Sequence, residues 1–408
     1  MKIAIWLDSE YFETIGGGFS YYDRLINEID NYSFDPILDI CYITDCTPKN
    51  KVLTREIIQL EYNTKLKLID KLKYQIPFNR NKFRNNINQK INREKELAFV
   101  DQILDAGIRL IYYIKPATIL SKYNLLRNIP FVATNWDIGH RSSFTFPEVS
   151  SLKEFDFRNN YYNNILAQAL MIFCESNSGK QELSRYTGIN ENRMAVVPIF
   201  PGKNGSINVP IEKQERIMAK YGLSTNQFFY YPAQFWAHKN HYTLVNVFAE
   251  FVKRKPFFKL VLTGFDQGNL QYIKDVVLNL NIQSSVIFAD FVDSETVYTF
   301  YKNATAMIMI PMFGPTNMPP LEAMEAGCPV ICSDLPGHRE ELGDAAIYVN
   351  PLDKTNILCA LNNIVDNRNV FCELIKKQHS STPHNIENAL LCINNNLLKA
   401  MEIRNLWK

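Results

Sequence analysis

Short apolar runs alternate with amphipathic stretches along the chain. Residues 3–7 form the first run, and after it Phe19, Tyr22, Leu25, Ile26 and Ile29 repeat with a helical period. Runs at 36–43, 108–114, 131–137, 172–175 and 195–200 read as further buried strands. Segment 201–210 sets Gly202, Asn204, Gly205 and Ser206 between two prolines and reads as a linker. The alternation then restarts, with strands at 228–233, 259–264, 286–289, 306–311 and 329–333 and a helix over 241–253. Ser176 or Ser178 is the expected N-cap of a helix in the first half. Strand–helix alternation predicts an α/β protein of two doubly wound, Rossmann-like domains facing each other across a cleft. The expected domains are 1–203 and 204–384, followed by a helical segment over 385–408.

Composition narrows the partners. A formal charge of +2 over 408 residues gives no case for nucleic acid. The eight cysteines form no C-x-x-C pair, and several sit in apolar runs, so a reducing cytoplasm is expected. No run approaches the length of a membrane span, and the apolar run before Asp8 is too short for a signal peptide. Region 49–95 is basic, with Lys65, Lys67, Lys71 and Lys73 interleaved with Leu66, Ile69 and Leu72. A solvated face and an amphipathic surface for anionic lipid both fit it. Asp-x-Asp, HExxH and Cys/His clusters are absent, so no metal site is expected.

The richest stretch is 306–351, which reads strand, loop, helix, strand. Its loop, 313–320, falls at the carboxyl end of a strand, where open α/β sheets bind ligands. Backbone N–H groups at the helix start near Pro319 can face an anion. Glu322, one turn into that helix, can accept two hydroxyls of a ribose diol, or can simply complement the helix dipole. Lys239 stands at a strand-to-helix turn, where a compact positive charge can meet a phosphate. Gly16, Gly17 and Gly18 connect the first strand to the first helix, as a flexible turn or as a close-approach loop. His140 follows a strand end and reads as structural or as lining a cleft. Phe291 and Val292 can pack on a base or on the core.

Pro319, Leu321 to Met324, Gly327, Pro329, Val330, Ser333, Arg339, Glu340, Gly343 to Ala346 and Pro351 together resemble the donor-binding signature of the family 4 (group 1) glycosyltransferases of the GT-B fold. The resemblance implies a retaining, metal-independent enzyme without a cofactor, which takes a nucleoside-diphosphate sugar as substrate. It also implies that the C-terminal helix returns to the N-terminal domain. Glu322 matches the second of two family glutamates and contacts the ribose; Gly314 stands where the first contacts the sugar. Lys239 matches the lysine of a diphosphate-binding pair, and Gln234 replaces its arginine. His140 matches a histidine that faces the transferred sugar, and the glycines at 16–18 line the cleft. Gly264, Phe291 and Val292 fall near the base, and Thr316, Asn317 and Met318 offer further donor contacts. The expected acceptor is a saccharide, lipid-linked, in bacterial O-antigen, lipopolysaccharide or capsule synthesis at the inner face of the plasma membrane. A nucleotide-sugar epimerase and a non-catalytic partner of another transferase remain open.

Overall fold

The computed structural model describes residues 2–8, 17–46, 53–61, 80–380 and 384–407. Among these, seven strands form one parallel sheet: β1 (Lys2–Trp6), β2 (Asp39–Thr44), β3 (Ile57–Gln59), β4 (Ile108–Tyr113), β5 (Phe131–Asn135), β6 (Met171–Cys174) and β7 (Met194–Val196). They lie in the order β3-β2-β1-β4-β5-β6-β7. Alternation assigns the two faces. Ile3 and Ile5 enter one apolar cluster, while Ala4 and Trp6 enter another on the opposite side. A sheet covered on both faces needs near-continuous apolar strands, and that is what the sequence supplies.

A second parallel sheet holds β8 (Phe228–Pro232), β9 (Lys259–Thr263), β10 (Val286–Phe288), β11 (Ala306–Met309), β12 (Val330–Ser333) and β13 (Ala346–Val349). Its order is β10-β9-β8-β11-β12-β13. Strand order therefore reverses between β1 and β4 in one sheet and between β8 and β11 in the other, and such switch points open crevices at the strand ends. Strands β3 and β13 were not anticipated. Both are short edge strands with half-exposed residues, which blurs the apolar signal.

The helices include α1 (Gly17–Asn31), α2 (Arg80–Asp105), α3 (Asn177–Thr187), α4 (His241–Arg254), α5 (Met318–Glu325), α6 (Pro336–Leu342) and α7 (Ile386–Arg404). Ser176 caps α3, its hydroxyl accepting from the Gly179 N–H. Gly327, at φ +77°, ends α5 in the left-handed region, and the Cys328 N–H turns back to the Ala323 carbonyl. Helix α7 buries Ala389, Leu390, Ile393 and Leu397 in the cluster that also holds Leu25, Ile26 and Ile29 of α1. Asn394 on α7 accepts a hydrogen bond from the Asp35 N–H, so the C-terminal helix returns to the first sheet's side.

All eight cysteines are free. No helix among the described residues is long and apolar enough to cross a membrane. Residues 49–52 and 62–79 of the basic region, with Lys65, Lys67, Lys71 and Lys73, lie outside the described residues, as does Gly16.

Candidate active site

The carboxyl ends of the two sheets converge. Asp137 and Glu175, just past β5 and β6, line the same chamber as Pro232 and Met309 at the ends of β8 and β11. This chamber has a volume of about 430 Å³, and a neighbouring one of about 310 Å³ shares Pro232, Ala233, Gln234, Met318 and Pro319 with it. Two adjoining chambers of this size suit an elongated ligand of several parts.

Glu322 forms the floor of the smaller chamber. It is buried, and its Oε2 accepts from Asn204 Nδ2 and from the Tyr301 hydroxyl, each at 3.3 Å. Its Oε1 makes no hydrogen bond within the protein. Burial raises the carboxyl to about 7 against these hydrogen bonds. Gly202 makes this placement sterically feasible, since a Cβ there would lie 2.2 Å from Glu322 Oε1. Arg24 on α1 fixes that linker by donating to the carbonyls of Pro201, at 2.6 Å, and Gly202, at 3.0 Å. Gly264 lines the same chamber at φ +142°, with the Ala233 carbonyl 2.4 Å from where a Cβ would sit. At the rim the Phe265 and Phe291 rings stack at 4.7 Å, beside Val292. Ser20 on α1 completes the wall; Gly17 and Gly18 begin that helix.

Lys239 lines the larger chamber near the junction. It sits in the one-turn segment Ala237–Lys239, which Asn240 closes in the left-handed region before α4. Its Nζ donates to Asn317 Oδ1 at 2.8 Å. Burial lowers it to about 8, with Asp137 and Glu148 opposing the shift. Gln234 lines both chambers, and its Oε1 accepts from Trp236 Nε1 at 2.9 Å.

Asn317 is a hub rather than a free contact. Besides Lys239, it donates its Nδ2 to His338 Nε2 at 2.8 Å and its backbone N–H to Glu341 Oε2 at 3.3 Å. His338 Nδ1 in turn donates to the Ser333 carbonyl, which fixes a neutral tautomer; burial lowers this imidazole to about 4. The start of α5 is poorer in donors than its place suggests. Pro319 and Pro320 carry no N–H, so anion contacts there fall to the loop backbone and Met318.

His140 is the clearest departure from expectation. It is fully buried in the short helix Gly139–Ser142, stacks on Tyr162 at 5.0 Å, and lines neither chamber. Its Nε2 donates to Asn159 Oδ1 at 3.2 Å, and burial lowers it to about 4. The turn after β5 points His140 back into the domain and leaves Asp137 on the chamber wall.

Sequence reasoning also passed over Asp137, Arg158, Glu175 and His238, which line the larger chamber together with Glu148. Asp137 Oδ1 accepts from Arg158 Nη1 at 3.0 Å and from the Gly139 N–H at 2.7 Å. Glu148 Oε1 spans the cleft to His238 Nδ1 at 2.5 Å and to the His238 N–H at 2.8 Å. Burial lowers His238, so this is a neutral imidazole donating to a carboxylate. Glu175 accepts from the Thr316 hydroxyl, another contact across the cleft. Asp137 and Glu175 were detectable: each is the first acid beyond a strand's carboxyl end. Among the described residues, no group of three or more His, Cys, Asp or Glu side chains is placed to hold a metal ion.

Two parallel-sheet domains closed over such a cleft define the GT-B class of fold. Residues 213–381 match the family described as "Glycosyl transferases group 1". The chain is 28% identical over 189 residues to the O-antigen chain mannosyltransferase RfbU of Salmonella typhimurium, a match covering 45% of this chain and 48% of that protein. The chain thus spans about half the length of that relative. It is 22% identical over 319 residues to O-antigen chain mannosyltransferase B of Escherichia coli, covering 75% and 81% of the two. The solved structure of Anabaena Alr3699/HepE in complex with UDP superposes with a TM-score of 0.65 at 14% identity, over 98% of this chain and 100% of that one. WaaG, a glycosyltransferase involved in lipopolysaccharide biosynthesis, superposes at 0.63 and 12% identity, over 92% and 94%.

Proposed function

We propose that the protein transfers a hexose from a nucleoside-diphosphate sugar to a saccharide acceptor in cell-surface polysaccharide synthesis, with retention of anomeric configuration and without a metal or other cofactor. The observation that carries this reading is Glu322, a buried carboxylate with one oxygen unengaged by protein, at the floor of a chamber that adjoins Lys239. A ribose diol meets the Glu322 carboxylate, the diphosphate meets Lys239, and the hexose extends into the larger chamber. In the transfer, the bond from the anomeric carbon to the phosphate oxygen breaks and a bond to the acceptor oxygen forms. The acceptor proton passes to the leaving diphosphate. Charge develops on that diphosphate, and Lys239 is the cation positioned to stabilise it. Positioning donor and acceptor in one cleft supplies much of the rate. Mannose is the first donor sugar to test, because two relatives are named O-antigen mannosyltransferases.

Calorimetry and thermal shift against UDP, GDP, ADP and dTDP, with and without Mg²⁺, test the reading. One nucleotide is expected to stabilise the protein equally in both conditions, and Glu322→Ala and Lys239→Ala to abolish the effect. Silence from all four nucleotides favours a non-catalytic partner instead. The acceptor is proposed to be lipid-linked, supported by the basic run at 49–95. Liposome sedimentation with anionic lipid checks this: binding that survives charge reversal of Lys65, Lys67, Lys71 and Lys73 would sink it.

A further inference from the structure

The family's sugar-facing glutamate is replaced here by Gly314, and the structure explains why a side chain cannot simply be put back. Gly314 has φ +123°, in the region that L residues rarely adopt. There is room for a Cβ, whose nearest neighbours would be 3.5 Å and 3.7 Å away; the backbone conformation is the obstacle. The loop has turned, and two residues on it presents the Thr316 hydroxyl across the cleft to the Glu175 carboxylate.

Glu175 extends from the end of β6, only 8% exposed, into the chamber that also holds Gly314 and Lys239. Its surroundings hold it in place. Next to it, the Asn177 and Ser178 N–H groups at the start of α3 donate to Glu340 of α6, at 2.6 Å and 2.9 Å, which joins the two walls. We propose that Glu175 binds hydroxyls of the donor hexose in place of the carboxylate that the family carries at position 314, with Thr316 as its positioning residue. The domain that holds the acceptor side then also reads the donor sugar. The proposal rests on the transferase reading above.

The chemistry fits the position. A carboxylate accepts two hydroxyl hydrogen bonds at once, and a hexose presents adjacent hydroxyls in that geometry. Burial lifts Glu175 to about 8, the behaviour of a carboxyl short of donors, and sugar hydroxyls would supply them. Asp137, the other acid at a strand end, is already engaged by Arg158 and by the Gly139 N–H.

The test separates sugar from nucleotide. Wild type, Glu175→Gln and Thr316→Val are titrated with UDP and UDP-glucose, UDP and UDP-N-acetylglucosamine, and GDP and GDP-mannose. For the pair that wild type accepts, the sugar is expected to add affinity over the bare nucleotide. Glu175→Gln should reduce nucleotide-sugar affinity by about tenfold or more, as loss of a charged hydrogen bond does, and leave bare-nucleotide affinity unchanged. Thr316→Val should shift the same quantity in the same direction by less. It is an independent check should the Gln variant fold poorly. A sugar increment that persists in both variants overturns the proposal and leaves the transferase reading standing. Equal loss of nucleotide and nucleotide sugar marks a role in domain closure and also overturns it. Wild type that binds no nucleotide overturns the reading itself.

Discussion

Glu322 and Glu175 are carboxyls whose proton affinity is set by burial, to about 7 and about 8 from an ordinary 4.5. The folded protein holds these protons over a range where the unfolded chain releases them. Their contribution to stability is therefore complete below about 4.5 and is lost as pH rises through that window. The ligand-free protein is expected to lose thermal stability as pH rises from about 4.5 to 8, with Glu322 and Glu175 contributing alongside Glu341, which burial raises in the same direction. Glu322→Gln and Glu175→Gln should each flatten the fall, and a pH-independent melting temperature in wild type would contradict the assignment. On the proposed donor placement, bound nucleotide should flatten it too, because ribose hydroxyls would stabilise the ionised Glu322. His140 teaches the complementary point. Its identity invited a role in the cleft, but stacking on Tyr162 and a lowered proton affinity suit a packed neutral ring.

At the scale of elements, the loop between β11 and α5 is held from below by α6. A Cβ on Gly337 would lie 1.5 Å from the Pro315 carbonyl oxygen, so the helix start is pressed directly on the loop backbone. Gly337→Ala is expected to cost at least the about 1–3 kcal/mol typical of overpacking. It should also weaken nucleotide-sugar binding, because the loop must lift away and take Asn317 and Thr316 with it. Chemical denaturation and the same calorimetry measure both effects; an unchanged midpoint would show that the loop yields freely. Glu341 and His338 of α6 hold Asn317, and Asn317 holds Lys239, so α6 reaches the proposed phosphate site through one amide. This relay was invisible in the local pattern, where Asn317 looked like one more polar loop residue.

For the whole molecule, the contacts that span the cleft include Glu148 to His238, Glu175 to Thr316, Glu340 to the start of α3, and the Arg24–Glu325 ion pair at 3.9 Å. The rings of Phe146 and Phe313 meet between them at 5.7 Å. The structure is thus a closed arrangement of the two domains, with α7 joining the chain's end to the first. Glu148→Ala combined with Glu340→Ala removes two of the contacts that span the cleft. The double variant is expected to show a larger radius of gyration than wild type by small-angle X-ray scattering. An unchanged radius would mean that the linker clamp at Arg24 and helix α7 suffice to hold the domains.

Two α/β units, the position of most strands, the linker, and the motif that carries Glu322 and ends at Gly327 were legible in the sequence. These are local properties. Periodicity, glycine at a left-handed turn and a capping serine act within a few residues, so they survive in a one-dimensional reading. Which polar residues share a chamber depends instead on packing between distant parts of the chain. Glu175 and Thr316 are 141 positions apart, and Asn177 and Glu340 are 163 apart. Their meeting follows from two sheets packing with their carboxyl ends toward one cleft. The same packing turns His140 inward and leaves Asp137 and Glu175 facing the space where a ligand fits.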